Sequence, residues 1–168
     1  MSSRINFDDI EVQKLRRDTD LTNFDCSLDD DLGLDVFIHK EALAYQETLL
    51  GITYLFYYKS NFVGFVTLAM GRLRGKYIEK EEIRLSYYPA LLIGRLAVDN
   101  NYRKRGICRF ICDWCTGFAE RLAKNIGCKF LVLDTNKRIS VIYEKCGFLG
   151  ARENDRIIMF KKIEINSF

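Results

Sequence analysis

The stretch that decides the fold is IGRLAVDNNYRKRGICR, residues 93–109. Its beginning closes the apolar run ALLIGRLAV, which follows Pro89 and reads as a buried strand ending at Asp99. Next comes NNYRKRG, a turn carrying Arg103, Lys104, Arg105 and Gly106. Beyond it, Ile107, Phe110, Ile111, Trp114, Phe118 and Leu122 share one face of a helix expected to run to Asn125, with Gly127 at its end. The first-turn N–H groups of such a helix lack carbonyl partners, and with the helix dipole they make an anion site. Gly106 lets a phosphate approach the backbone closely, and the three basic residues add charge. Strand, basic turn and helix thus form a diphosphate cradle. The same residues would also make an ordinary strand–turn–helix with a solvated turn, so the decision rests on the surrounding sequence.

Upstream, residues 10–15 alternate weakly and suit a first strand. ITYLFYY and FVGFVTLAM are β-rich runs separated by KSN, and they read as an antiparallel hairpin. Between Phe24 and Leu50, Ser27 followed by Asp29, Asp30 and Asp31 has the form of a helix N-cap with acids in its first turn; Gly33 would break or bend that helix. The charged stretch from Gly71 to Tyr88 has no clear period and is expected to be a long loop. Downstream, strands at 129–133, 148–150 and 157–163 surround a short helix at 140–146 closed by Gly147. The order is mixed α/β around one dominant helix.

At 168 residues and 48% hydrophobic, the chain has enough apolar material for one packed core, which excludes a disordered or collagen-like chain. One proline and no linker-like tract leave a single domain, 1–168, as the expectation. No apolar run reaches the roughly 18 residues of a membrane span, and no secretory signal opens the chain. A soluble, cytoplasmic protein is therefore expected. Charge is divided unevenly. Residues 1–50 hold 12 Asp and Glu against 5 Lys and Arg, whereas residues 51–168 carry 21 Lys and Arg against 11 acids. The basic portion suits a polyanion, either a phosphorylated cofactor or a nucleic acid.

The six cysteines do not read as a disulfide framework in a chain with no sign of secretion. Cys108, Cys112 and Cys115 have the C-x3-C-x2-C spacing of a radical iron–sulfur site. On a helix, however, these positions form a stripe spread over roughly 10 Å, too far for one cluster. They read as small buried hydrophobes, and no metal is expected.

Downstream of the cradle, VLDTNKRISVIYEKCGF places Asn136 after a strand and Tyr143 on the following helix, ahead of Gly147 and Phe148. With these residues the chain resembles the GNAT superfamily of acyl-CoA N-acyltransferases. That signature joins a strand ending LAV, a Y-R-x-x-G-x-G/A turn, a helix, a strand and N-x-x-A-x-x-hydrophobic-Y-x-x-x-G-F. Here it is met by Leu96, Ala97, Val98, Tyr102, Arg103, Gly106, Asn136, Ile142, Tyr143, Gly147 and Phe148. Cys108 departs from the usual Gly or Ala, and Ile139 from the usual Ala. The resemblance implies a mixed central sheet with a splayed cofactor-binding edge, flanking helices and acetyl-CoA as co-substrate. It implies that the main chain of Leu96, Ala97 and Val98 pairs with the pantetheine arm. Amides across Arg103, Lys104, Arg105, Gly106, Ile107, Cys108 and Arg109 would hold the diphosphate, and Asn136 would bond the cofactor arm. Tyr143 would be the general acid on the departing thiolate. Without the resemblance, Tyr143 reads as a core tyrosine.

Where some relatives resemble a design with a basic carboxylate on the central strand, this strand offers Arg95 and no acid before Asp99. Asp134 and Glu144 have no positional warrant as a base, and His39, among acids, reads as a surface residue. The segment beginning FDCSLDDDLGLDVFIHKEA at Phe24 further resembles GNAT toxins of toxin–antitoxin systems that acetylate charged tRNA, as does the arginine in ALLIGRLAV. That branch implies a charged-tRNA substrate contacted by Arg95, and an antitoxin partner. The broader expectation, an N-acetyltransferase acting on a primary amine by direct attack, comes first because the superfamily is diverse. A non-catalytic acyl-CoA-binding module on the same fold is the remaining alternative. Oligomeric state is open, a homodimer included.

Overall fold

The computed structural model describes residues 3–166. Seven strands have the hydrogen-bonded order β1-β2-β3-β4-β5-β7-β6: β1 Ile10–Lys14, β2 Ile52–Tyr58, β3 Asn61–Arg74, β4 Tyr87–Val98, β5 Phe130–Thr135, β6 Leu149–Glu153 and β7 Arg156–Lys162. The β4–β5 pair is parallel, while β1–β2, β2–β3, β5–β7 and β6–β7 are antiparallel, so the sheet is mixed. Helices α1 Leu34–Val36, α2 Ala42–Glu47, α3 Ile107–Ala123 and α4 Lys137–Lys145 complete the α/β architecture. The chain packs as two compact units. One runs to Ala69 and takes in Gly94–Ile111; the other comprises Met70–Ile93 and continues from Cys112.

In the first unit, the β2–β3 hairpin turns through Lys59 and Ser60, both with positive φ (47° and 68°). Two left-handed residues in a two-residue loop match the twist of the strands they join. Leu55, Phe65 and Ala97 come from β2, β3 and β4 and pack with Phe37, Ile38 and Ala42 of the helical segment. Burying one such phenylalanine contributes roughly 1.5–3 kcal/mol, so this cluster fixes the segment on the strands. Gly64 sets the position of α3. A β-carbon there would lie 2.9 Å from Ile111 Cδ1 and 3.1 Å from the Ala97 carbonyl, so only glycine admits the first turn of α3 this close to β3.

In the second unit, Leu73, Tyr88, Ala90, Phe130, Val132 and Phe160 form a cluster across four strands. The β4–β5 ladder in this unit spans Ala90↔Phe130 to Leu92↔Val132, and β5 continues to Thr135 against β7. Glu81 anchors the segment before β4. Its side chain is 8% exposed and lies 3.2 Å from Lys129 Nζ and 3.0 Å from Lys162 Nζ. The bond from Lys162, then that from Lys129, holds its carboxyl below the ordinary value.

Two expectations require correction. Ser27 does not cap a helix, because Asp25 accepts both the Ser27 N–H and its hydroxyl in a tight turn. The helix begins seven residues later, where Asp30 accepts the N–H groups of Leu34 and Asp35 and Gly33 takes φ +70°. Asp side chains that bond nearby amides compete with helix formation, and here the competition moves the start downstream. The expected loop from Gly71 to Tyr88 is strand at its two ends, and the loop proper is shorter, Ile78 to Ser86 after a 3-10 turn. β3 continues to Arg74 and β4 starts at Tyr87, before Pro89. Met70, Arg72 and Arg74 alternate outward around buried Leu73, and the Arg72 guanidinium lies 3.9 Å from the Tyr87 ring centre. Charged outward positions concealed a period-2 pattern.

Candidate functional site

The cradle forms within the first unit. Leu96, Ala97 and Val98 bring β4 to its end with side chains buried. Asp99, 3% exposed, fixes the turn that follows: one carboxylate oxygen accepts the Asn101 N–H at 2.9 Å and the other the Asp25 N–H at 3.0 Å. After a 3-10 turn over Asn100–Tyr102, Lys104 (φ 60°) and Gly106 (φ 85°) are left-handed. Left-handed residues turn successive N–H groups into a concave anion-binding surface. The first bond of α3 runs from the Phe110 N–H to the Gly106 carbonyl at 3.0 Å, so Gly106 is the residue on which the helix starts. Glycine has no side-chain oxygen with which to cap the first-turn amides. Ile107 is buried, Cys108 half-buried and Arg109 exposed.

The three basic residues of this turn do different work. Arg103 turns inward and donates to the carbonyls of Leu28 (2.6 Å) and Cys26 (3.1 Å), tying the FDC loop to the turn. Arg105 donates to the Ser3 carbonyl at 2.7 Å, with its guanidinium over the Tyr102 ring. Lys104 is exposed and makes no hydrogen bond or ion pair among the described residues. Of the charge expected to face a phosphate, two guanidiniums instead hold main chain. Of the three basic side chains of the turn, only Lys104 is not engaged with main chain among the described residues.

In the second unit, Asn136 is the N-cap of α4, its Oδ1 accepting the Ile139 N–H at 2.9 Å. Tyr143 is 7% exposed and packs edge-on against Phe148, with ring centres 5.8 Å apart. The Phe148 N–H bonds the Tyr143 carbonyl, the Gly147 N–H bonds the Glu144 carbonyl, and Gly147 has φ +91°. That is a Schellman motif with its apolar contact. The Y-x-x-x-G-F signature thus has a local physical meaning: glycine ends α4, and the phenylalanine fixes the tyrosine ring.

Arg95, on β4 in the first unit, sits with its guanidinium 4.9 Å from the Phe37 ring centre and donates to the Gly94 carbonyl at 2.8 Å. It forms no ion pair among the described residues. The acids near the motifs are engaged elsewhere. Asp99 holds the turn, and Asp134 accepts from Arg156 Nε at 2.8 Å. His39 is an exposed residue, as expected from sequence, with its Nε2 2.9 Å from the Phe24 carbonyl and 3.7 Å from Asp35. Burial, with Asp35 and Asp30 nearby, pushes the Cys26 thiol far up, so it stays protonated. Cys108, Cys112 and Cys115 lie on α3, and no group of metal-ligating side chains occurs among the described residues. No helix among them is long and apolar enough to cross a membrane.

Along the chain, a glycine-started helix behind a left-handed turn is followed by a strand and a capped helix bearing a buried tyrosine. The chain matches the family model of the acetyltransferase (GNAT) domain over residues 50–149. It belongs to that family, whose members draw their acetyl group from acetyl-CoA. The fold is shared with a Tyr-to-Phe mutant of KacT (TM-score 0.80, 16% identity, 92% of this chain and 95% of that one). It is also shared with AtaT complexed with acetyl-methionyl-tRNAfMet (TM-score 0.78, 18% identity, 90% and 94%). AtaTR bound with acetyl-CoA is similar too (TM-score 0.76, 20% identity, 93% and 95%). A sequence search of curated proteins finds no match.

Proposed function

We propose that this chain acts as a single acetyltransferase domain that acetylates the α-amino group of an aminoacyl-tRNA, as the toxin of a toxin–antitoxin pair. The observation that carries the reading is Arg95. A cation stands on the central strand over Phe37, where an amine-activating carboxylate would otherwise be sought. A cation there disfavours a protonated amine and favours a phosphate-bearing substrate. The α-amine of an aminoacyl ester has a lower pKa than a lysine amine, so much of it is neutral without a base. The structures of AtaT with acetyl-methionyl-tRNAfMet and with its antitoxin's C-terminus are in keeping with this choice of substrate and partner.

Bound acetyl-CoA supplies a thioester whose carbonyl carbon is open to an amine. The main chain of Leu96, Ala97 and Val98 pairs with the pantetheine arm, and Asn136 hydrogen-bonds that arm. Amides from Arg103 to Arg109, with the α3 dipole and Lys104, take the diphosphate. The neutral amine attacks directly; its C–N bond forms as the C–S bond breaks. The Tyr143 hydroxyl gives its proton to the departing sulfur, which spares a bare thiolate, and the proton that the attacking nitrogen sheds passes to solvent, from which the phenolate is reprotonated.

Radiolabelled acetyl-CoA offered with charged tRNA, polyamines and peptides tests the substrate. Label is expected on the aminoacyl group alone, and label on free amines with none on charged tRNA overturns the reading. On the accepted substrate, Tyr143→Phe should lower kcat by at least about tenfold, within the usual worth of general acid catalysis. Its Kd for acetyl-CoA should move by less than about threefold, because binding groups lie elsewhere. Full activity in that variant would remove Tyr143 from the proton transfer.

A further inference from the structure

We infer that Phe7 is a positioning residue for the CoA diphosphate, holding the Lys104–Gly106 turn in its anion-binding form. This rests on the proposed reading that the turn receives the diphosphate. The argument begins with the backbone. Lys104 at φ 60° occupies a conformation that a side-chain-bearing residue adopts only at a cost, and such conformations persist where surrounding structure over-determines them. What surrounds this turn is the N-terminal segment. Phe7 Cζ lies 3.0 Å from the position that a β-carbon on Gly106 would occupy, so the ring covers the bare face of the glycine. The ring also stacks flat on Phe110, with centroids 5.4 Å apart and planes within 8°. Phe110 in turn meets Phe56 edge-on at 6.2 Å, and Phe56 is fully buried in β2.

A row of three rings thus ties the starting glycine of α3 to the sheet, and Phe7 is its outer member. Its place is also set by contacts away from the turn. Phe7 opens a 3-10 turn, Phe7–Asp9, capped by Asn6, and β1 starts immediately after it, paired from Ile10↔Tyr58. Arg105 fastens the same segment at a second point through the Ser3 carbonyl. Nothing in the sequence marks Phe7, which stands almost a hundred residues before the turn it braces. Preorganising an anion-binding loop strengthens binding of the anion without altering the chemistry of the thioester.

The test compares acetyl-CoA with acetyl-pantetheine, which carries the same thioester but no diphosphate. Phe7→Ala should weaken acetyl-CoA binding by about tenfold in calorimetry and leave kcat at saturation within about twofold. KM for acetyl-pantetheine as donor should stay within about twofold of wild type, and Phe7→Tyr should restore acetyl-CoA binding. Equal loss for both donors, or unchanged acetyl-CoA affinity in a folded Phe7→Ala protein, overturns the inference. If Phe7→Ala does not fold, Phe7→Leu decides by the same comparison, since it keeps apolar bulk but cannot stack flat on Phe110. A wild-type protein that prefers acetyl-CoA no more than acetyl-pantetheine refutes the diphosphate reading itself, and the inference with it. A clear wild-type preference that survives the Phe7 variants refutes only the inference.

Discussion

The chain builds a helix start after a strand twice, in two different ways. At α4, Asn136 closes the first turn with its own oxygen, bonding the Ile139 N–H at 2.9 Å. At α3, the corresponding residue is Gly106, which has no side chain, sits at φ 85° and is covered by a phenylalanine from the N-terminus. A helix whose first turn is closed by its own side chain is a structural joint. One that starts on glycine leaves the work of capping to an outside group, and a phosphate is the natural candidate. On the proposed reading, the two joints put the same strand–turn–helix pattern to two uses, an anion site in one place and a mount for a tyrosine in the other.

The sharpest way to break this contrast is to give the α3 joint a side chain of the wrong charge. Gly106→Glu puts a carboxylate at the helix start, strains the left-handed backbone and collides with Phe7. Acetyl-CoA affinity should fall by about a hundredfold or more in calorimetry, because a like charge is set against the diphosphate and the turn's backbone is strained as well. Unchanged affinity in a folded protein would remove the α3 start from the diphosphate site.

The α4 joint should respond in stability first. Asn136→Ala deletes the cap and should cost about 1 kcal/mol in denaturant unfolding. Asn136→Asp keeps a capping oxygen and should hold most of that stability, yet it lacks the Nδ2 donor. If Asn136 serves the cofactor as well as the helix, Asp weakens acetyl-CoA binding while sparing stability. If binding follows stability through both variants, the residue is a cap alone.

The smallest effect separates the two units by how they fasten their long segments. The first unit holds its N-terminal segment with rings, whereas the second holds the Glu81 segment with ions. Because Lys162 and then Lys129 lower the Glu81 carboxyl from its ordinary value of 4.5, its contribution to stability is present above that value. That contribution is lost as pH falls through the lowered one. Glu81→Gln should therefore lower Tm modestly at neutral pH, and the gap to wild type should close in acid. A gap that stays constant down to acid pH would assign the anchoring to hydrogen bonds that glutamine also makes.

Much of the local structure of the candidate site was legible in the primary structure because its parts are local. The diphosphate turn, α3, Asn136 before α4 and the Tyr143–Phe148 spacing depend on neighbours within a few positions, and the Schellman motif at Gly147 shows why that spacing recurs. The errors arose where one local signal outweighed another. Ser27 looks like a cap only until Asp25 binds its hydroxyl. The strand ends at Arg72 and Tyr87 looked like loop because their outward positions carry charge and lie against each other.

By itself, the sequence determined the order of elements, the glycine at the start of α3 and the absence of a carboxylate on the central strand before Asp99, since each needs only residue type and spacing. Only the tertiary structure decided what the charged and aromatic side chains do there. Arg103 and Arg105 look like phosphate ligands in the linear chain, yet they bond the carbonyls of Leu28, Cys26 and Ser3. Phe7 carries no signal until it lies against Gly106. The physical reason is range: backbone conformation is set over a turn or two, whereas the partner of a long side chain is chosen by whatever distant segment the core brings within a few ångströms.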